Sequence, residues 1–150
     1  MIKLTDIYDV FGDLNLITND WRKIPLDYEE MKKFDIDLEF GQMGEKFVED
    51  LQNGNTMIEV KTERDIWKTT GNIAIEIRCS GKASGISTTG SAIWIHLLSD
   101  NNKIVGGYIF SVDYLKKKII DLKEKGKLKL VMGGDFNASQ MALIPRTELF

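Results

Sequence analysis

The stretch TMIEVKTERDIWKTTGNIAIEIRC, residues 56–79, decides how this chain is read. TMIEVKTE (56–63) alternates polar and apolar residues, with Ile58 and Val60 on one side. NIAIEIRC (72–79) alternates too, with Ile73, Ile75 and Ile77 on one side. Period two marks half-buried strands. RDIWKTTG (64–71) reads as a long hairpin tip ending in glycine. If the two strands pair with their isoleucine faces on one core, their charged faces coincide, because side chains alternate along a strand. Glu59, Lys61 and Glu63 then share a face with Ala74, Glu76 and Arg78, and Glu59, Lys61 and Glu76 come close together.

Upstream, GEKFVEDLQ (44–52) places Gly44, Phe47, Val48 and Leu51 on one helical stripe, and NGN (53–55) ends it. Glu45 sits about 60° from Val48 around that helix, beside the apolar stripe. Further back, YEEMKKF (28–34) reads as one or two helical turns and DIDLEF (35–40) as a short strand. Downstream, SGKASGISTTGS (80–91) is a polar, glycine-rich loop. AIWIHLL (92–98) is apolar nearly throughout, as a strand covered on both faces would be. SDNNK (99–103) is a turn and IVGGYIF (104–110) a further strand. SVDYLKKKIIDLKEKGK (111–127) is the clearest helix, with Ser111 as N-cap and an apolar stripe of Val112, Leu115, Ile119 and Leu122. LKLVM (128–132) and MALIP (141–145) read as strands around the loop GGDFNAS (133–139). The order gives an α/β fold, a central mixed sheet flanked by helices.

The chain has 150 residues, enough for one domain with a real core. Residues 1–36 read as an N-terminal extension to it, a place for dimer contacts. No apolar run approaches the ~18 residues of a membrane helix. The opening MIKLTDIYDVFGDL carries acids where a secretory signal needs a basic stretch, so a cytoplasmic protein is expected. One cysteine, Cys79, excludes an intramolecular disulfide, and with one histidine, His96, it excludes a Cys/His zinc site. Both His96 and Trp94, on an apolar strand, read as core. Net charge is −3 but uneven: −7 over residues 1–50 and +4 over 51–150. An anionic partner would meet the second stretch, where Lys116, Lys117, Lys118, Lys123, Lys125, Lys127 and Lys129 cluster. Neither a G-x-G-x-x-G nor a Walker A signature is present.

Carboxylates converging on a lysine have a chemical use. Carboxylate oxygens are ligands that Mg²⁺ prefers, and Mg²⁺ polarises a phosphodiester. A lysine two residues from one ligand holds the attacking water or stabilises the developing charge. The plain alternative is a set of cross-strand ion pairs on a solvated face.

A helix bearing G-E followed by a strand with E-V-K resembles the PD-(D/E)XK nuclease superfamily. The longer string FGQMGEKFVEDL, MIEVKTERDIWKTTGNIAIEI and GKASGISTT resembles its phage and bacterial proteins of the archaeal-type Holliday junction resolvase-like group. The likeness covers about residues 37–98 and, more loosely, VMGGDFNASQMALIP. It implies a restriction-endonuclease-like core and a Mg²⁺-dependent (or Mn²⁺-dependent) endodeoxyribonuclease acting on branched DNA. It also implies a homodimer, since paired cuts need two active sites, working in the host cytoplasm if phage-encoded. Glu45 matches the family's helix glutamate, and Glu59 and Lys61 its E-x-K pair. The family's Asp on a preceding strand is missing, because LQNGNTM holds no acid. Glu76 is the preferred replacement, giving Glu45, Glu59 and Glu76 as metal ligands; Glu63 or Asp65 is the alternative. Lys68, Lys82, Ser84, Thr88 and Thr89 are expected to contact DNA phosphates. Trp67 at the tip either wedges into DNA or packs. Two other readings stand beside this one: a restriction- or repair-type nuclease for duplex, flap or single-stranded DNA, and a non-catalytic DNA-binding protein.

Overall fold

The computed structural model describes residues 28–150, which divide into two compact units at 47/48. The expected extension at 1–36 lies largely outside the described residues.

Helix α1, Tyr28–Gln52, runs through the whole first part of this region and into the second unit. DIDLEF is therefore helix, not strand. Six alternating residues do not distinguish the two periods, whereas Phe40, Met43, Phe47 and Leu51 keep helical spacing across the glycines at 41 and 44. The helix ends as expected in a Schellman motif. Asn55 N–H bonds the Asp50 carbonyl at 3.2 Å and Gly54 N–H the Leu51 carbonyl at 3.4 Å, with Gly54 at φ +69°.

The second unit is α/β, with one mixed and one antiparallel sheet and helices beside them. Strand β1 (Ile58–Glu63) leads through a four-residue helix, α2 (Trp67–Thr70), to β2 (Asn72–Cys79). Short β3 (Lys82–Ala83) and a 3₁₀ turn, Gly85–Ser87, precede β4 (Ile93–Asp100) and β5 (Lys103–Ser111). Helix α3 (Val112–Glu124), β6 (Lys129–Gly133) and β7 (Ser139–Pro145) complete it. The strands form a three-stranded sheet ordered β1-β4-β5 and a four-stranded antiparallel sheet ordered β3-β2-β7-β6.

The expected β1–β2 hairpin is not formed. Strand β1 lies parallel to β4, with Glu59 opposite Trp94, Lys61 opposite His96 and Glu63 opposite Leu98. Strand β2 belongs to the other sheet. The RDIWKTTG segment folds into a helical turn, which carries the chain from one sheet to the other instead of reversing it. One expected sheet thus becomes two.

The faces of β1 are also reversed. Residues opposite one another in neighbouring strands point the same way. Trp94 and His96 are buried, so Glu59, Lys61 and Glu63 turn inward with them, and Val60 is left 53% exposed. In β2 the expectation holds, with Ile73 and Ile75 fully buried. They join Trp94, Leu98, Phe110, Leu115, Ile144 and Leu149 in the core. The stripe on α3 packs as read, with Val112, Leu115 and Leu122 buried, and Ser111 Oγ caps the helix by accepting from Tyr114 N–H at 3.1 Å. The turn after β4 is built on Asn101 and Asn102 at φ +48° and +61°; asparagine tolerates this region and suits tight hairpins.

Truncating Ile75 tests the core. Ile75→Ala removes a side chain with no exposed surface and is expected to cost about 2–5 kcal/mol, read as a lower urea midpoint with an unchanged slope.

Candidate functional site

The charged face of β1 meets the Ala74–Glu76 side of β2 at a cavity of about 180 Å³, lined by Lys61, Thr62, Glu63, Ala74, Glu76, His96 and Met141. Convergence of Lys61 and Glu76 is thus found, but across two sheets and not within one hairpin.

Lys61 Nζ lies 2.6 Å from Glu59 Oε1, and its ammonium sits 5.9 Å from the Trp94 ring centroid. Side chains two apart on a strand share a face, which puts the pair together. Thr89 Oγ donates to the other oxygen of Glu59 at 3.3 Å.

Glu76 is held more tightly. Ser84 Oγ donates to one carboxylate oxygen and Ser139 Oγ to the other, both at 2.6 Å. The Ser139 bond is the larger influence, and with the Ser84 bond and the Lys61 charge it keeps the Glu76 carboxyl below its ordinary range against partial burial. Ser84 reaches Glu76 because the loop folds back over β2. Ser84 N–H bonds the Ile77 carbonyl at 3.1 Å. Gly85 stands so close that a Cβ there would lie 2.3 Å from the Glu76 carbonyl oxygen, at φ +56°. Only glycine fits that approach.

Glu63 ties the sheets together. Strand β3 covers β2 only at Arg78 and Cys79, which leaves the Ala74 N–H without a strand partner on that side. Glu63 Oε2 accepts it at 2.8 Å and lies 3.0 Å from His96 Nε2. Trp94 Nε1 donates in turn to His96 Nδ1 at 3.3 Å. His96 and Trp94 are core, as read, yet His96 also lines the cavity. Asp65, the other alternative acid, is used elsewhere: it accepts from Ser99 Oγ at 3.4 Å and from Asn101 N–H at 3.2 Å, anchoring the β4–β5 turn.

Glu45 is exposed on α1, in the first unit, whereas Glu59 and Glu76 lie in the second. Among the described residues no three His, Cys, Asp or Glu side chains form a metal-holding group. Two carboxylates still suit a hard cation. Mg²⁺ commonly takes one or two from a protein and fills its other positions with water and substrate phosphate. Glu59 and Glu76 supply that donor chemistry.

The expected phosphate contacts divide. Ser84 and Thr89 donate to the carboxylates of Glu76 and Glu59. Lys68 is ion-paired with Asp100, a hydrogen bond that raises its pKa. Lys82 and Thr88 are exposed. Trp67 packs on the core, donating to the Ser99 carbonyl at 2.8 Å under the Arg146 guanidinium at 4.8 Å. Ser139, in a segment read as a loop, carried no signal of its own. Among the described residues no helix is long and apolar enough to cross a membrane. No protein-family model, curated protein or solved structure matches this chain.

Replacing the serines tests the Glu76 cradle. A carboxyl depressed on folding adds stability that is full above its ordinary value near 4.5 and is lost as pH falls through the lower folded value. Ser139→Ala lifts the folded value toward the ordinary one. It is expected to lose about 1–2 kcal/mol at pH 7, with the gap to wild type closing in acid. Guanidinium titrations at neutral and acid pH check this; a gap of equal size at both would count against the cradle.

Proposed function

We propose that this protein is a metal-dependent endodeoxyribonuclease, acting as a homodimer on four-way or otherwise branched DNA. The observation that carries the reading is Lys61 at the cavity wall between Glu59, its ion-pair partner, and Glu76, which feels its charge and is kept ionised by two serines. The E-x-K spacing and its resemblance to PD-(D/E)XK nucleases support it.

In this reading Glu59 and Glu76 hold Mg²⁺, or Mn²⁺, which supplies Lewis acidity toward a phosphodiester. Glu76 is the better fixed of the two, since a carboxylate oriented by two hydroxyls needs little reorganisation. Thr89 orients Glu59 in the same way. Lys61 has three donors and no acceptor. It therefore binds and stabilises a non-bridging phosphate oxygen as negative charge grows there. Its Glu59 partner and the Trp94 face beneath it hold it in place. Lys82, Thr88 and the exposed lysines of α3 are available to track a backbone, and such contacts position DNA without reading sequence.

The test is cleavage with Mg²⁺ of an immobile four-way junction, a fork, linear duplex and single strand, with Lys61→Ala alongside. Paired nicks on the junction are expected, with a loss of about 10²–10³-fold in the variant. Cutting of every substrate would move the reading to a repair- or restriction-type nuclease. Junction binding without cutting would make the protein a DNA-binding module.

A further inference from the structure

We propose that Glu63 is a further catalytic residue of this cavity, the carboxylate that orients the attacking water and takes its proton. The proposal rests on the nuclease reading and extends it beyond Glu59, Lys61 and Glu76.

The oxygens of three glutamates decide it: Glu63 and Glu76, which line the cavity, and Glu59, which pairs with Lys61 beside it. Both oxygens of Glu59 are engaged, by Lys61 and Thr89. Both oxygens of Glu76 are engaged, by Ser84 and Ser139. Glu63 Oε2 takes two donors, Ala74 N–H and His96 Nε2. Glu63 Oε1 alone has no partner among the described residues. It belongs to a side chain only 12% exposed whose residue lines the cavity with Lys61 and Glu76. A carboxylate oxygen with no donor, on the wall of a small cavity, is where a water proton goes.

The histidine is built to hold this carboxylate and not to compete with it. An indole N–H only donates, so the Trp94 bond makes His96 Nδ1 an acceptor. The imidazole proton then sits on Nε2 and is given to Glu63 Oε2. Charging the ring would set Nδ1–H against Trp94 N–H in the core. Both groups are buried, Trp94 at 0% and His96 at 1% exposure. Trp94 and His96 are thus positioning residues for Glu63.

The step balances as a hydrolysis. Water gives one proton to Glu63 Oε1 while its oxygen forms a new bond to phosphorus. The bond from phosphorus to the leaving sugar oxygen breaks with its electron pair. That oxygen takes a proton from solvent, and Glu63 releases its own to solvent. One strand end keeps the phosphate and the other a hydroxyl.

Glu63→Gln is the test, because both Oε2 donors require the amide oxygen there. The amide nitrogen is then forced into the Oε1 place, where it cannot accept a proton. The chain's sole histidine makes ¹⁵N spectra of the imidazole a direct check on the latch. Wild type and Glu63→Gln are both expected to show the neutral Nε2–H form and similar melting temperatures. The variant is expected to lose at least about 100-fold in kcat, with KM changed by less than about threefold. Cleavage by Glu63→Gln within about threefold of wild type overturns the role of Glu63 and leaves the nuclease reading standing. An Nδ1–H or charged imidazole in wild type overturns the latch. Failure of wild type to cut any of the four DNA substrates defeats the nuclease reading itself, and the Glu63 step with it.

Discussion

Pairing β1 alongside β4 turns Glu59, Lys61 and Glu63 toward Trp94 and His96, and of the three Glu63 is the one largely withdrawn from water, at 12% exposure. Charges withdrawn from water cost several kcal/mol each unless they are hydrogen-bonded or paired. Much of the surrounding structure supplies those partners. Glu59 has Lys61 and Thr89; Glu63 has the Ala74 N–H and His96. The bond to Ala74 closes a strand edge that β3 leaves open, so one carboxylate satisfies its own need and that of the neighbouring sheet. A buried backbone N–H without a partner is rare for the same energetic reason. The two sheets are therefore joined here by side-chain chemistry in place of a ladder.

Across the cavity the loop after β3 does a similar job for Glu76. It is not a flexible connection. Its 3₁₀ turn closes through Ser87 N–H to the Ser84 carbonyl at 3.1 Å, and Ser87 Oγ bonds the Ile77 carbonyl at 2.8 Å. Ile86 is buried in the core beneath it. Gly85 lets the backbone press onto β2, which brings the Ser84 hydroxyl within reach of Glu76. Ser139 comes from the start of β7, where the register with β2 slips between Glu76 and Arg78. That irregularity lies beside the one glutamate of β2, and bulges commonly re-aim a side chain near a functional site.

Local pattern made most elements legible. Strand β2, the turn after β4 and the cap and stripe of α3 all follow from alternation, helical spacing and turn chemistry. The E-x-K face was legible too, since Glu59, Lys61 and Glu63 must point together whichever way the strand turns. Which way it turns was not. Ile58 and Val60 argued for the opposite orientation, and only the parallel neighbour β4, some thirty residues on, decides it. Long-range pairing carries no local signature, and four residues of helix at Trp67–Thr70 were enough to send β2 to another sheet. DIDLEF failed for a smaller reason, six residues being too few to tell two periods apart. Ser139 was beyond reach, because a serine after a loop says nothing about which carboxylate it will meet.

The charges of the cavity also bear on how it would receive DNA. Glu63 and Glu76 line the cavity with Lys61, a formal balance of −1, and Glu59 pairs with Lys61 beside it. A phosphodiester brings one more negative charge into a partly desolvated space, where like charges repel far more strongly than in water. Lysines outside the cavity draw the backbone near but do not offset charge within it, since exposed interactions beyond about 10 Å are screened at ordinary salt. A site of this composition admits a phosphate readily only when a cation enters with it or before it. The same acidity that would exclude DNA from the bare cavity therefore favours divalent-ion dependence for the proposed reaction. In the proposed reaction Lys61 would answer one developing oxyanion, and the ion would supply the rest of the neutralisation.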